Sequence, residues 1–318
     1  MLPHVCTAII MLGAVDGSHT DPQGHATASA VSVSPSDVKG QQLKEIDARL
    51  RASNAPFIGE ADVDQLRASL ARLPSNAPPM QHVALKNRLA EAYLAAGRID
   101  EAIEQYESSI EVMRNVPNVV IDERFTAVMR RLAVAYLRLG ERQNCVAHHN
   151  SESCIFPLSA AAVHVEPSGA QRAANLLGHI LELYPSDLES AWLLNIVHMQ
   201  LGDYPRAVPT AFRIPTSALA SEHDVHRFVD IAPKLGLNSF KRAGGSLVED
   251  LDNDGYMDVV ISSMDTAQCL RYFHNNGDGT FSERTEQAGL SAQTGSLNFT
   301  HADYDNDGRQ DLFAPRGA

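Results

Sequence analysis

The chain has 318 residues, with 26 Lys and Arg against 39 Asp and Glu, and a formal net charge of −13. That balance argues against nucleic-acid binding, which needs clustered basic side chains, and no apolar stretch is long enough to span a bilayer. The length suffices for two cores, one helical and one β. Residues 5–15, Val-Cys-Thr-Ala-Ile-Ile-Met-Leu-Gly-Ala-Val, form an apolar run preceded by Met-Leu-Pro-His. Residues 1–15 are therefore expected to be a signal peptide, although one without the usual Lys or Arg before its apolar part. Residues 16–40, rich in Ser, Ala, Pro, Gly and His, read as a disordered linker.

Further along, Leu43, Ile46 and Leu50, then Leu66, Leu70 and Leu73, recur at helical spacing. They predict two helices that cap the helical pair beginning near residue 85. Asp62 and Gln65 have the spacing of a capping box for the second. Between residues 85 and 117, Leu89, Ala90, Tyr93, Gly97, Ala102 and Tyr106 fit a pair of packed helices, with small residues allowing close approach and Gly97 opening the turn. Leu132, Ala133, Tyr136 and Gly140 repeat the first half, and a third copy runs from Leu194 through Gly202 to Ala207. The three glycines are 43 and 62 residues apart, so insertions interrupt the repeat. The pattern resembles the tetratricopeptide repeat. That resemblance implies a helical solenoid over residues 41–232, which would bind proteins or peptides along a concave face. Every Leu and Tyr in this region, and Trp192, is expected in the core.

The second repeat is interrupted after Gln143 by Asn144-Cys145-Val-Ala-His148-His149-Asn-Ser-Glu152-Ser-Cys154-Ile-Phe-Pro157, with His164 shortly after. On a continuing helical turn Cys145, His148 and His149 would share one face. Two readings stand. Two imidazoles and one or two thiolates suit Zn²⁺ or copper. In an oxidising compartment, a Cys145–Cys154 disulfide closing a short loop is the simpler arrangement. Cys6 and Cys269 are expected to be chemically inert.

The richest signal lies near the C-terminus. Asp250-Leu-Asp252-Asn-Asp254-Gly255-Tyr256-Met-Asp258 and Asp303-Tyr-Asp305-Asn-Asp307-Gly308-Arg309-Gln-Asp311 each place four carboxylates within nine residues. Oxygen donors with a Gly at the sharp turn are what a hard cation such as Ca²⁺ requires. The expected ligands are the side chains of Asp250, Asp252, Asp254 and Asp258 with the Tyr256 carbonyl. In the second loop they are Asp303, Asp305, Asp307 and Asp311 with the Arg309 carbonyl. An EF-hand would carry a Glu at position twelve between two helices; here that position is Ile261 or Ala314. The runs Val259-Val260-Ile261 and Leu312-Phe313-Ala314 read instead as buried strands, and Leu297–Ala302 alternates with period two. Asn275-Asn-Gly-Asp-Gly-Thr-Phe281 reads as a tight structural hairpin turn.

The loops recur 53 residues apart, Asp250 to Asp303, a period that suits a β-propeller blade. Gly244-Gly245-Ser-Leu-Val-Glu-Asp250, Asn275 to Phe281, Ala288-Gly-Leu290 and His301-Ala-Asp303 resemble FG-GAP/VCBS repeats. Those repeats occur in integrin α-chain propellers and in cartilage-acidic-protein-like proteins of the ASPIC/UnbV group. The resemblance implies calcium-stabilised blades over residues 233–318, each ion holding the loop between two adjacent strands. Asn144-Cys145 through Cys154-Ile-Phe-Pro157 is similar to a stretch in members of that group, which assigns it no role. One blade and the start of another fall short of a closed ring, which implies an N-terminal fragment of a longer protein.

The expected architecture is therefore α + β and multidomain: a tetratricopeptide-like solenoid followed by the first blades of an incomplete propeller. The expected function is a secreted, periplasmic or cell-envelope calcium-binding scaffold. Its partners would be a protein or peptide on the helical repeats and a glycan on the propeller. No catalytic role is assigned to the aspartates, because no nucleophile–base pair accompanies them. The rival is a copper- or zinc-dependent enzyme using Cys145, His148, His149, Cys154 and His164, or a cleft on further blades.

Overall fold

A computed structural model describes residues 6–10, 35–53, 60–117, 121–148, 150, 152–153, 156–220, 222–223, 229–237, 239 and 244–316. The chain opens with strand β1 (Cys6–Ile10) and helix α1 (Pro35–Ala52). It divides into two compact units, Met1–Gly59 with Ile231–Ala318, and Glu60–Asp230.

The second unit is helical: α2 (Ala61–Arg72), α3 (Pro79–Ala95), α4 (Ile99–Arg114), α5 (Glu123–Glu141), α6 (Ser168–Leu183) and α7 (Leu188–Leu201). Each helix packs on the next in chain order, so the apolar stripe of one is covered by its neighbours rather than by a central core. Leu89, Ala90, Tyr93, Ala102, Tyr106, Leu132, Ala133 and Tyr136 are all buried. Gly97 takes φ +77°, the left-handed conformation that ends α3 and opens the turn into α4. Asp122 caps α5 by accepting hydrogen bonds from the N–H groups of Arg124 and Phe125 at 3.0 and 3.1 Å. Asp187 caps α7 through Ser190 N–H at 3.1 Å.

Several expectations need correction here. The helix α2 starts at Ala61 with Glu60 before it and no side-chain cap, so Asp62 and Gln65 form no capping box. Asp62 and Asp64 instead sit in the first turn, where carboxylates complement the helix dipole. Gly140 opens no turn; it is buried within α5, which runs on through a π-helical turn at Arg142–Val146. Trp192 is 45% exposed and Leu188 is 82% exposed, four residues apart on one face of α7. That helix is apolar beyond the face it buries against α6.

Two buried asparagines repeat one device. Asn144 donates to the carbonyls of Gly140 and Glu166 at 2.9 and 3.0 Å and accepts from Glu166 N–H at 2.8 Å. Asn195 donates to Ala191 and Phe212, both at 2.8 Å, and accepts from Ile214 N–H at 3.0 Å. Each carboxamide mimics a peptide group and pins an extended segment onto a helix.

The first unit contains two antiparallel sheets. Strands β2 (Ser246–Glu249), β3 (Asp258–Ile261), β4 (Arg271–Asn275) and β5 (Phe281–Glu283) form a meander in chain order. The Asn-Gly and Asp-Gly steps lie in the turn between β4 and β5, which pair as Asn275 opposite Phe281. A second sheet has the order β1-β7-β6, with β6 (Thr300–Ala302) and β7 (Asp311–Arg316). β6 is shorter than the alternation over Leu297–Ala302 predicts. One core joins the two sheets: Val260 and Tyr272 from the meander with Leu312 and Ala314 from β7, plus Leu251, Leu270, Leu290 and Phe299.

Part of the apolar run read as a leader forms β1, with Ile10 opposite Leu312 of β7. Residues 35–40 of the expected linker are helical, and residues 16–34 lie outside those described. Helix α1 belongs to the same compact unit as the sheets. Arg51 bonds Asp47 at 2.9 Å and reaches Asp265 at 2.6 Å, Thr266 bonds Asp47, and Gly40 lies directly against Ala292. One ion pair, one hydrogen bond and a missing Cβ hold α1 against the β-elements.

Candidate functional site

Each nine-residue acidic loop leaves one strand and enters the next, β2 to β3 and β6 to β7. The two backbones fold alike. Asn253 and Asn306 take φ +61° and +58°, and Gly255 and Gly308 take φ +90° and +86°. At Gly255 and Gly308 this conformation is costly for any residue with a Cβ. Asp250 accepts from the N–H groups of Asp254 and Gly255 at 3.1 and 2.9 Å. Asp303 accepts from those of Asp307 and Gly308, both at 3.0 Å. Asp254 accepts from Tyr256 N–H at 2.9 Å and Asp307 from Arg309 N–H at 2.8 Å. Asp258 and Asp311, at the start of β3 and β7, reach back to the N–H groups of Leu251 and Tyr304 at 3.3 and 3.0 Å. Asn253 also donates to the Gly308 carbonyl at 3.0 Å, joining the two loops.

Carboxylate oxygens of Asp250, Asp252 and Asp254 lie within 4.8 Å of one another, as do those of Asp303, Asp305 and Asp311. Asp307 does not join the second trio. Among the described residues, no Lys or Arg forms an ion pair with any of the eight aspartates. Burial, reinforced by the charges of Asp258 and Asp254, pushes the Asp252 carboxyl above its ordinary range. Such a loop repels itself.

Asp258 is more committed than its sequence position foretells. It is fully buried and accepts from Tyr272 OH at 2.9 Å and Asn275 N–H at 2.8 Å as well as from Leu251. Burial and Asp258 push the Tyr272 phenol up, which keeps it a hydrogen-bond donor. One neighbour escaped the sequence reading altogether: His274 of β4 lies 3.1 Å from Asp252 and 3.4 Å from Asp258. Its only signal is the β3–β4 register, which sets position 274 opposite 258.

In the helical unit, the structure brings together two of the five Cys/His candidates. Cys145 Sγ lies 3.8 Å from His164 Nε2, and the imidazole rests on Gly140, where an added Cβ would meet it at 3.2 Å. The His164 backbone N–H bonds the Gln200 carbonyl at 2.9 Å. His148 follows the π-helical turn and is exposed. His149 and Cys154 lie outside the described residues, and with them the Cys145–Cys154 disulfide. Among the described residues, no Asp, Glu or further His or Cys joins Cys145 and His164 in a metal-sized group, so zinc's four ligands are not assembled by them.

Burial holds His164 below the ordinary imidazole value. Its stabilising neutral form is fully present above about pH 6.5, and the benefit is lost as pH falls through the depressed pKa. Helical melts at pH 7.5 and 5.5 should therefore diverge more for the natural chain than for His164→Phe; equal shifts would remove His164 as the cause.

Between α4, α5 and α6 runs a groove of ≈ 730 Å³, lined among others by Glu107, Glu111, Arg114, Tyr136 and Arg172. Arg172 stands 5.3 Å over the Tyr136 ring, and the Tyr136 hydroxyl bonds Glu107. Among the described residues, no helix is long and apolar enough to cross a membrane.

No curated protein matches this chain. Among solved structures, a putative kinesin light chain from Podosopora anserina with nearly identical TPR-like repeats is 20% identical, covering 54% of this chain and 89% of that one, with a TM-score of 0.26. BtubC (BKLC) from P. vanneervenii is 16% identical over 60% of this chain and 85% of that one, with a TM-score of 0.22. A family model described as an FG-GAP-like repeat matches residues 250–314, which take in both acidic loops.

Proposed function

We propose that this is a calcium-binding interaction scaffold of the cell exterior or envelope. Its helical array binds a protein or peptide, and its sheets are propeller blades fastened by Ca²⁺ in loops 250–258 and 303–311. One observation carries the reading. Two loops 53 residues apart each bring three carboxylates within 4.8 Å of one another, with no Lys or Arg paired to them among the described residues. A divalent cation removes the repulsion and joins consecutive strands. Oxygen donors on exposed loops suit the weaker, extracellular class of calcium module, which fills where the ion is near millimolar. The groove between α4, α5 and α6, with charge of both signs around Tyr136, offers a surface for an extended peptide.

Terbium luminescence and melting with and without chelator test the calcium reading. Two ions per chain are expected, and each site should add about 2.7 kcal/mol when free calcium is a hundredfold above its Kd. Asp252→Ala and Asp305→Ala should each remove one ion. Unchanged stoichiometry in both variants would refute the assignment.

A further inference from the structure

His274 is only 7% exposed, and its Nδ1 is buried without a hydrogen-bond partner. That nitrogen points between two carboxylates, 3.1 Å from Asp252 Oδ2 and 3.4 Å from Asp258 Oδ1. The spacing is informative. Donors bound at about 2.0–2.2 Å around a tetrahedral or octahedral ion stand roughly 3.0–3.4 Å apart. Asp258 Oδ2 is taken up by Leu251 N–H and Tyr272 OH, whereas Oδ1 accepts only from Asn275 N–H. One lone pair of Oδ1 therefore remains on the side of His274. The other ring nitrogen lies 3.9 Å from Asp254 Oδ2, beyond hydrogen-bond reach.

We propose that Asp252, Asp258 and His274 make the first loop a mixed nitrogen–oxygen site for a first-row transition ion of the Mn²⁺–Zn²⁺ series, while the second loop remains a hard-cation site. Imidazole favours such ions over Ca²⁺, which prefers oxygen alone. The second cluster, Asp303, Asp305 and Asp311, contains no histidine among the described residues. The two loops, alike in sequence, thus differ in the ion they select. This inference rests on the reading of the acidic loops as cation sites and refines it for one of them.

The test is Co²⁺ and Ca²⁺ uptake by the full chain, measured by equilibrium dialysis for the natural sequence, His274→Gln and Asp305→Ala. Any Co²⁺ held by the Cys145 segment is common to all three, so differences report the loops. The tightest loop-bound Co²⁺ should weaken at least tenfold in His274→Gln and stay unchanged in Asp305→Ala, while His274→Gln still takes up calcium at the second loop. Equal Co²⁺ affinity in the natural chain and His274→Gln, with calcium bound at both loops, would overturn this inference and leave the calcium scaffold standing. Absence of either ion from both loops would end both. Should His274→Gln not fold, pulsed electron paramagnetic resonance of the Mn²⁺-loaded natural chain decides. An imidazole nitrogen coupling that Asp252→Asn abolishes is expected, and its absence refutes the site.

Discussion

Replacing Asp258 by Ala should cost the β-unit about 3–5 kcal/mol, in chelator as well as in calcium, since each buried group left without its partner costs about 1–3 kcal/mol. Three donors lose their acceptor at once: Leu251 N–H, Asn275 N–H and Tyr272 OH. Asp258 itself is fully buried, so water does not readily replace the carboxylate. Tyr272→Phe removes a single donor and should cost about 1 kcal/mol. Urea unfolding monitored in chelator separates this structural role from ion binding. A loss under about 1 kcal/mol for Asp258→Ala would mean that the hydrogen-bond network contributes little.

Gly169→Ala should destabilise the helical unit by about 2–4 kcal/mol, because overpacking against rigid neighbours costs about 1–3 kcal/mol or more. An added Cβ would stand 2.6 Å from the Tyr136 carbonyl oxygen, 2.9 Å from Gly140 N and 3.2 Å from Gly140 Cα. All three are backbone atoms of α5, so no side chain can swing aside and α5 must part from α6. Gly178, in the same helix, supplies the control. Its added Cβ would meet nothing within 4 Å, and Gly178→Ala should stabilise by about 0.5–1 kcal/mol through helix propensity alone. Melts followed by helical ellipticity should thus move in opposite directions. Two shifts of the same sign would mean that the α5–α6 approach does not limit packing here.

Local patterns were readable wherever the cause was local. Gly97 takes its left-handed turn because no Cβ opposes it, and the inward positions Leu89, Tyr93 and Tyr106 follow from helical spacing. Gly140 misled because one residue type serves two ends: a glycine that ends a helix and one that lets helices touch look alike in sequence. Trp192 misled for a related reason, since apolar character states that a side chain can be buried and not that a neighbour is there to bury it. The capping box failed because α2 begins at Ala61, with Glu60 drawn instead to Arg98 at 2.8 Å. Asn144 and Asn195 carried no signal, because the segments they pin arrive from 22 and 19 residues away.

What the sequence determined by itself was the pair of acidic loops: their length, their glycine turns and the strands around them. Each of those features arises from hydrogen bonds and steric limits within nine consecutive residues. Tertiary structure alone decided what surrounds the loops. His274 faces Asp258 only because β3 and β4 pair in that register, and α1 meets the sheets through Arg51 and Asp265, 214 residues apart. Strand pairing and docking are settled by surfaces that do not exist until the chain has folded.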